Sequence, residues 1–189
     1  ILSGKVVIGT VGCDKELDRW LQELGINMSE LRDHWEAFSL QTVKVEGKYH
    51  LIILGSDPRG TAYGLLELSR LMGISPWCWW ADVTPEKRER LDLPINYKNK
   101  QQPSVKYRGI FLNEDWGLSP WSARNFEQSS VKNEIGTKTY TRIFELLLRL
   151  RANTLWPAMH KCSTPFYWLK GAKELAAQYG IVIGTSHCE

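Results

Sequence analysis

Alternation of apolar and polar positions divides the chain into two series of elements. Residues 5–9 (Lys-Val-Val-Ile-Gly) read as an opening strand. Asp14 then caps a helix whose Leu17, Trp20, Leu21 and Leu24 recur at helical spacing until Gly25 stops it. Residues 38–45 alternate in part, as a half-exposed strand does, and 49–54 form a denser apolar run. Glu46-Gly47-Lys48 between them suits a hairpin turn. After the turn Gly55-Ser56-Asp57-Pro58-Arg59-Gly60, residues 61–72 predict a second amphipathic helix carrying Tyr63, Leu65, Leu66, Leu68 and Leu71 and ended by Gly73.

Residues 94–103, Pro-Ile-Asn-Tyr-Lys-Asn-Lys-Gln-Gln-Pro, are polar and bounded by prolines, which reads as a connector. The pattern thus predicts an amino-terminal α/β domain over 1–96, a linker over 97–106 and a second domain over 107–189. In the second domain, strands at 107–112, 152–156 and 180–184 alternate with helices at 138–151 and 171–179. Such alternation implies right-handed crossovers and a parallel sheet. The expected fold class is α/β: a sandwich-like α/β domain followed by the first three β/α units of a (β/α)8 TIM barrel. A whole barrel takes about 250 residues, so the chain is expected to be truncated and its barrel incomplete.

Composition narrows the classes. Hydrophobic residues are 43% of the 189, enough for one sizeable core or two small ones. The 24 Lys and Arg are scattered among 21 Asp and Glu, for a net charge of +3, so no basic stripe points to nucleic acid or to a membrane surface. No stretch approaches the roughly 20 consecutive apolar residues of a membrane span. Cys13, Cys78, Cys162 and Cys188 contain no CxxC pair and make no disulfide framework. The turn before the helix at 61–72 lacks both the GxxxxGK[ST] and the GxGxxG pattern of phosphate-binding loops. Nine tryptophans are unusual, and three fall at Trp77, Trp79 and Trp80. These three read either as a sugar platform or as a plug between two domains with at most one ring exposed.

Candidate chemistry gathers where the predicted parallel strands end. In such architectures, catalytic groups sit in loops at the carboxyl ends of strands. Asn113, Glu114, Asp115 and Trp116 follow the first strand, Trp156 to His160 follow the second, and His187, Cys188 and Glu189 follow the third. A carboxylate pair on one rim suits glycoside hydrolysis, one acid protonating the leaving oxygen while the other activates water or attacks the anomeric carbon. His160-Lys161-Cys162 and His187-Cys188-Glu189 contain zinc-ligand types but no usual ligand spacing, so no metal is expected.

The blocks Arg108 to Gly117, Lys138 to Leu150, Ala152 to His160 and Gly180 to Glu189 resemble the opening of the catalytic barrel of glycoside hydrolase family 115. Gly55 to Gly64, with Ser75 to Val83, is similar to that family's amino-terminal α/β domain. The resemblance covers nearly the whole chain. It implies an inverting α-glucuronidase, without a cofactor, that removes glucuronic or 4-O-methylglucuronic acid from O2 of xylose in glucuronoxylan or glucurono-xylooligosaccharides. It also implies a homodimer for the full-length enzyme. Glu114, Glu189 and Asp115 then stand as the catalytic candidates and Asn113, Trp116, Trp156, His160 and His187 as substrate-binding ones, with Arg124 and Lys161 as cations for the sugar carboxylate. The reading is of a secreted or periplasmic enzyme whose signal peptide is not in this chain. The rival is a carbohydrate-binding or structural protein that keeps the scaffold without turnover.

Overall fold

The structure is a computed structural model that describes residues 4–86, 88–113, 115–128 and 134–185. The chain separates into two compact units, Ile1–Lys106 and Tyr107–Glu189.

The first unit opens with strand β1 (Val6–Thr10), followed by helix α1 (Lys15–Glu23) and the single turn α2 (Ser29–Arg32). The Asp14 carboxylate accepts the amide hydrogens of Glu16 and Leu17 and so starts α1. Strands β2 (Phe38–Val45) and β3 (Lys48–Gly55) form an antiparallel hairpin, and helix α3 (Pro58–Leu71) follows. Strand β1 pairs in parallel with β3.

The apolar run of β3 is buried on both faces of the sheet. Ile52 and Leu54 join Leu21 and Leu31 of the first two helices, and Ile53 meets α3 at Gly64. A strand covered on both sides has no polar alternation to show, which is why 49–54 reads as a continuous apolar segment.

The connector expected at 97–106 is corrected by the structure. Lys98–Gln101 is strand β4, which pairs antiparallel with Phe38–Gln41 and gives the sheet order β1-β3-β2-β4. Its Lys-Asn-Lys-Gln sequence carries no apolar residue, because it lies at the sheet edge, where lysines guard against further pairing. The Asn99 side chain donates to Oε1 of Glu67 on α3 at 3.1 Å. Glu67, 1% exposed, is also held by Arg70 at 2.7 Å. That hydrogen bond and the carboxylate's charge raise the Arg70 guanidinium above its usual pKa. The boundary between the units accordingly falls after Lys106 rather than near residue 96.

A second buried carboxylate, Glu36, sits just before β2 in a left-handed backbone conformation, with φ at 53°. Arg59 approaches it at 3.1 Å, and the Tyr63 hydroxyl donates to it at 3.2 Å. Asp57 fixes the same corner by accepting the Glu36 and Gly60 amides. The Asp57 carboxylate thus caps α3 from its own chain, setting a negative charge against the positive end of the helix dipole.

In the second unit, strands β5 (Gly109–Phe111), β6 (Thr154–Trp156) and β7 (Val182–Ile183) form a parallel sheet in that order. Between β5 and β6 run helix α4 (Asp115–Ser122), a π-helical turn Ala123–Glu127 and helix α5 (Thr137–Arg149). Two 3-10 turns, Lys161–Ser163 and Phe166–Trp168, precede helix α6 (Ala172–Tyr179). The region before α5 reads as a loop from sequence because Pro120 lies inside α4, and proline removes a helical hydrogen bond.

Tyr140 and Phe144 of α5 pack against Phe166, at centroid distances of 4.8 and 6.5 Å, and Phe144 also meets Tyr179 of α6 at 5.9 Å. On β6, Leu155 is fully buried while Trp156 is 43% exposed. Side chains alternate along a strand, so one face of the sheet backs the helical layer and the other, with Phe111, Trp156 and Val182, lies open.

Candidate functional site at the strand ends

Because β5, β6 and β7 are neighbours and parallel, their carboxyl ends reach the same edge of the sheet. Backbone hydrogen bonds carry the pairing to that edge, from Leu112 to the Trp156 carbonyl at 2.8 Å and from Gly184 to the Leu155 carbonyl at 2.9 Å. Asn113 leaves β5 exposed to solvent. Asp115 is the first residue of α4, and Trp116 in its first turn is 79% exposed. Trp156 ends β6, and half-buried His160 follows, its carbonyl accepting the Ser163 amide and hydroxyl, both at 3.0 Å. Five of the eight predicted site residues, Asn113, Asp115, Trp116, Trp156 and His160, thus stand at or shortly after the strand ends of one edge. Glu114, His187 and Glu189 lie outside the described residues.

Trp156 is held from two sides. Its ring meets Phe111 edge-on, with centroids 6.0 Å apart, and its indole rests on the Cα of Gly184. Below these rings, Gly109, Phe111, Thr154 and Trp156, flanked by Tyr107 and Arg108, line a shallow depression of about 320 Å³. An exposed aromatic wall beside polar loops is suited to a sugar ring, whose C–H faces stack on indole while its hydroxyls take hydrogen bonds.

Sequence reasoning missed two residues of this edge. The Tyr167 hydroxyl donates to the Gly184 carbonyl at 3.1 Å, which ties the loop after β6 to the exit of β7. Phe111 supports Trp156 from the neighbouring strand. The aromatic triplet Phe166-Tyr167-Trp168 is the signal that could have drawn attention to Tyr167; that Phe111 shares the open face with Trp156 is visible only once the strands are paired. Arg124, on the π-helical turn, and Lys161, opening the 3-10 turn after His160, are both exposed.

Of the three tryptophans in the first unit's aromatic cluster, Trp77 and Trp79 are 45% and 42% exposed, so two rings reach solvent where the plug reading allowed one. Among the described residues no group of three His, Cys, Asp or Glu side chains is placed to hold a metal ion.

Residues 100–189 match the sequence profile described as Glycosyl hydrolase family 115. The whole chain is similar to a solved structure of a family GH115 4-O-methyl-alpha-glucuronidase, BtGH115A, with specificity for decorated arabinogalactans. The two superpose with a TM-score of 0.85 at 54% identity, over 97% of this chain and 24% of that one. This chain therefore spans about a quarter of that relative's length. No curated protein matches it.

Proposed function

With residues 100–189 belonging to glycoside hydrolase family 115, we propose that this chain supplies the amino-terminal domain and the first three β/α units of the (β/α)8 barrel of an α-glucuronidase. The proposed reaction is inverting hydrolysis that frees glucuronic or 4-O-methylglucuronic acid from O2 of xylose in glucuronoxylan. The observation that carries the reading is the single edge on which Asn113, Asp115, Trp116, Trp156 and His160 emerge from the two adjacent parallel strands β5 and β6. The open face holding Phe111, Trp156 and Val182 becomes the inner wall of the barrel.

In this assignment Glu114 and Glu189 are the two carboxylates of the reaction, with Asp115 as a further acidic candidate. One, kept protonated, gives its proton to the leaving xylose O2, and the other draws a proton from the water that attacks the anomeric carbon from the opposite face. Trp116 and Trp156 stack on sugar rings, while Asn113, His160 and His187 take hydroxyl groups. The exposed cations Arg124 and Lys161 suit the uronate charge. The reaction draws on no cofactor or metal, and the whole enzyme is a secreted or periplasmic homodimer.

A second acceptor is favoured by a specific observation: BtGH115A, 54% identical, has specificity for decorated arabinogalactans. The uronic acid is common to both readings; the sugar that bears it differs. Incubating the intact protein separately with glucuronoxylan and with a uronate-decorated arabinogalactan, and following the anomeric protons by NMR, decides between them. Release from xylan of a uronic acid that first appears as the β-anomer supports the proposal. Release from arabinogalactan alone moves the acceptor, and binding without release from either moves the protein to the non-catalytic reading.

A further inference from the structure

The π-helical turn Ala123–Glu127 ends in a carboxylate that crosses to another helix. Glu127 Oε1 accepts the Thr139 amide at 2.7 Å and the Thr139 hydroxyl at 2.6 Å. The Ser122 and Thr139 hydroxyls stand 2.5 Å apart. Since Thr139 gives its hydrogen to Glu127, Ser122 must donate to Thr139. The result is a relay of three groups, in which Ser122 and Thr139 are fully buried. In such a buried setting each member is costly to leave unpaired.

The cap at the start of α5 is unusual in its source. Gly136 at the N-cap has no side chain to offer, and Thr139 carries one of the first amides without a partner inside the helix. Glu127 supplies that partner from outside, and its negative charge faces the positive end of the helix dipole. Only glycine at 136 leaves room for it: a Cβ there would lie 2.6 Å from the Glu127 carboxylate carbon. Lys138 adds a bond from its Nζ to the Glu127 carbonyl at 3.2 Å. The chain then turns away through Gln128 in a left-handed conformation, φ 52°.

What this cap fixes is the segment 115–127. Its near end leaves β5 directly after Asn113 and carries Asp115 and Trp116; its middle, α4, lies against the 3-10 turn Lys161–Ser163 that follows His160. With β5 holding one end and Glu127 the other, the loops after β5 and β6 are set in one arrangement. We infer that Glu127 is a positioning residue, which acts through Thr139 and Ser122 to hold the segment bearing Asn113, Asp115 and Trp116 against the turn that follows His160. The inference rests on the proposed glucuronidase reading for its catalytic consequence, and the geometry of the segment can be measured without it.

The test compares the intact wild-type protein with Glu127→Ala, Glu127→Gln and Thr139→Val. The first measurement is kcat and KM for uronic acid release, normalised to folded protein. The second is amide hydrogen exchange across residues 115–127, with α6 as the internal reference. Positioning predicts that Glu127→Ala lowers kcat by about tenfold or more with a much smaller change in KM. Glu127→Gln, which keeps an acceptor for Thr139, should recover most of the rate. Exchange should rise in 115–127 but not in α6. Unchanged kcat in folded Glu127→Ala, or a Gln variant no better than Ala, overturns the inference. If the wild type itself releases no uronic acid, the reaction reading fails, and hydrogen exchange alone judges Glu127: a rise confined to 115–127 upholds its positioning role, and an unchanged segment removes it.

Discussion

The indole of Trp156 rests directly on Gly184, so closely that a Cβ at 184 would stand 2.0 Å from Trp156 Nε1. The exit of β7 is therefore shaped around the last side chain of β6. Gly184→Ala forces the ring off Phe111 or the strand end outward, and overpacking of this kind costs about 1–3 kcal/mol. Thermal melts of the intact protein should show the loss, and Gly184→Ala combined with Trp156→Ala should recover part of it, since the second change removes the obstacle.

Trp116 is expected to separate stability from binding. At 79% exposure it supports almost nothing in the fold, so Trp116→Ala should change unfolding free energy by no more than about 0.5 kcal/mol. If the ring stacks on sugar, the same variant loses about 0.5–1.5 kcal/mol of substrate binding, read as a rise in KM of up to roughly tenfold. An unaltered KM would take Trp116 out of the site.

Glu36 gives a stability prediction in the first unit. It is 3% exposed and depends on Arg59 and Tyr63. Arg59→Ala leaves a buried carboxylate without its cation, a change that costs about 3–5 kcal/mol for fully buried pairs and less here, where Arg59 is partly exposed. Glu36→Gln with Arg59→Ala should be less damaging than the sum of the two single changes, which a double-mutant cycle by urea unfolding measures.

Chelation is expected to leave the activity intact. No usual zinc spacing occurs at His160-Lys161-Cys162 or His187-Cys188-Glu189, so uronic acid release before and after dialysis against EDTA should agree within error. A loss restored by added zinc would bring those residues back as ligands.

The elements with strong local signals were legible from the sequence. Asp14 and Gly25 bracket α1, the 3.6-residue apolar spacing marks α5, and the strand-helix alternation gives the parallel order of β5, β6 and β7. The elements that escaped are stabilised from a distance. Strand β4 has no apolar residue to show and exists because β2 offers it an edge. Helix α4 persists through Pro120 and runs into a π-helical turn, which ends where Glu127 caps α5 across a gap in sequence. At the site the strand-end rule brought Asn113, Asp115, Trp116, Trp156 and His160 to one edge, whereas the contacts of Trp156 with Phe111 and Gly184 join residues far apart in the chain and left no local pattern to read.

Strand β4 also sets an order of events during synthesis. The β2–β3 hairpin and α3 are complete by Leu71, yet Phe38–Gln41 keeps a bare edge until residues 98–101 have emerged and docked some 60 positions downstream of their partner. A growing chain halted anywhere in that interval presents unpaired backbone beside Phe38 and Leu40, the kind of edge on which nascent chains join one another. The four plain polar residues that seal it are the last to arrive, and cutting the protein at the apparent gap near residue 96 would remove the seal and leave the rest of the sheet in place.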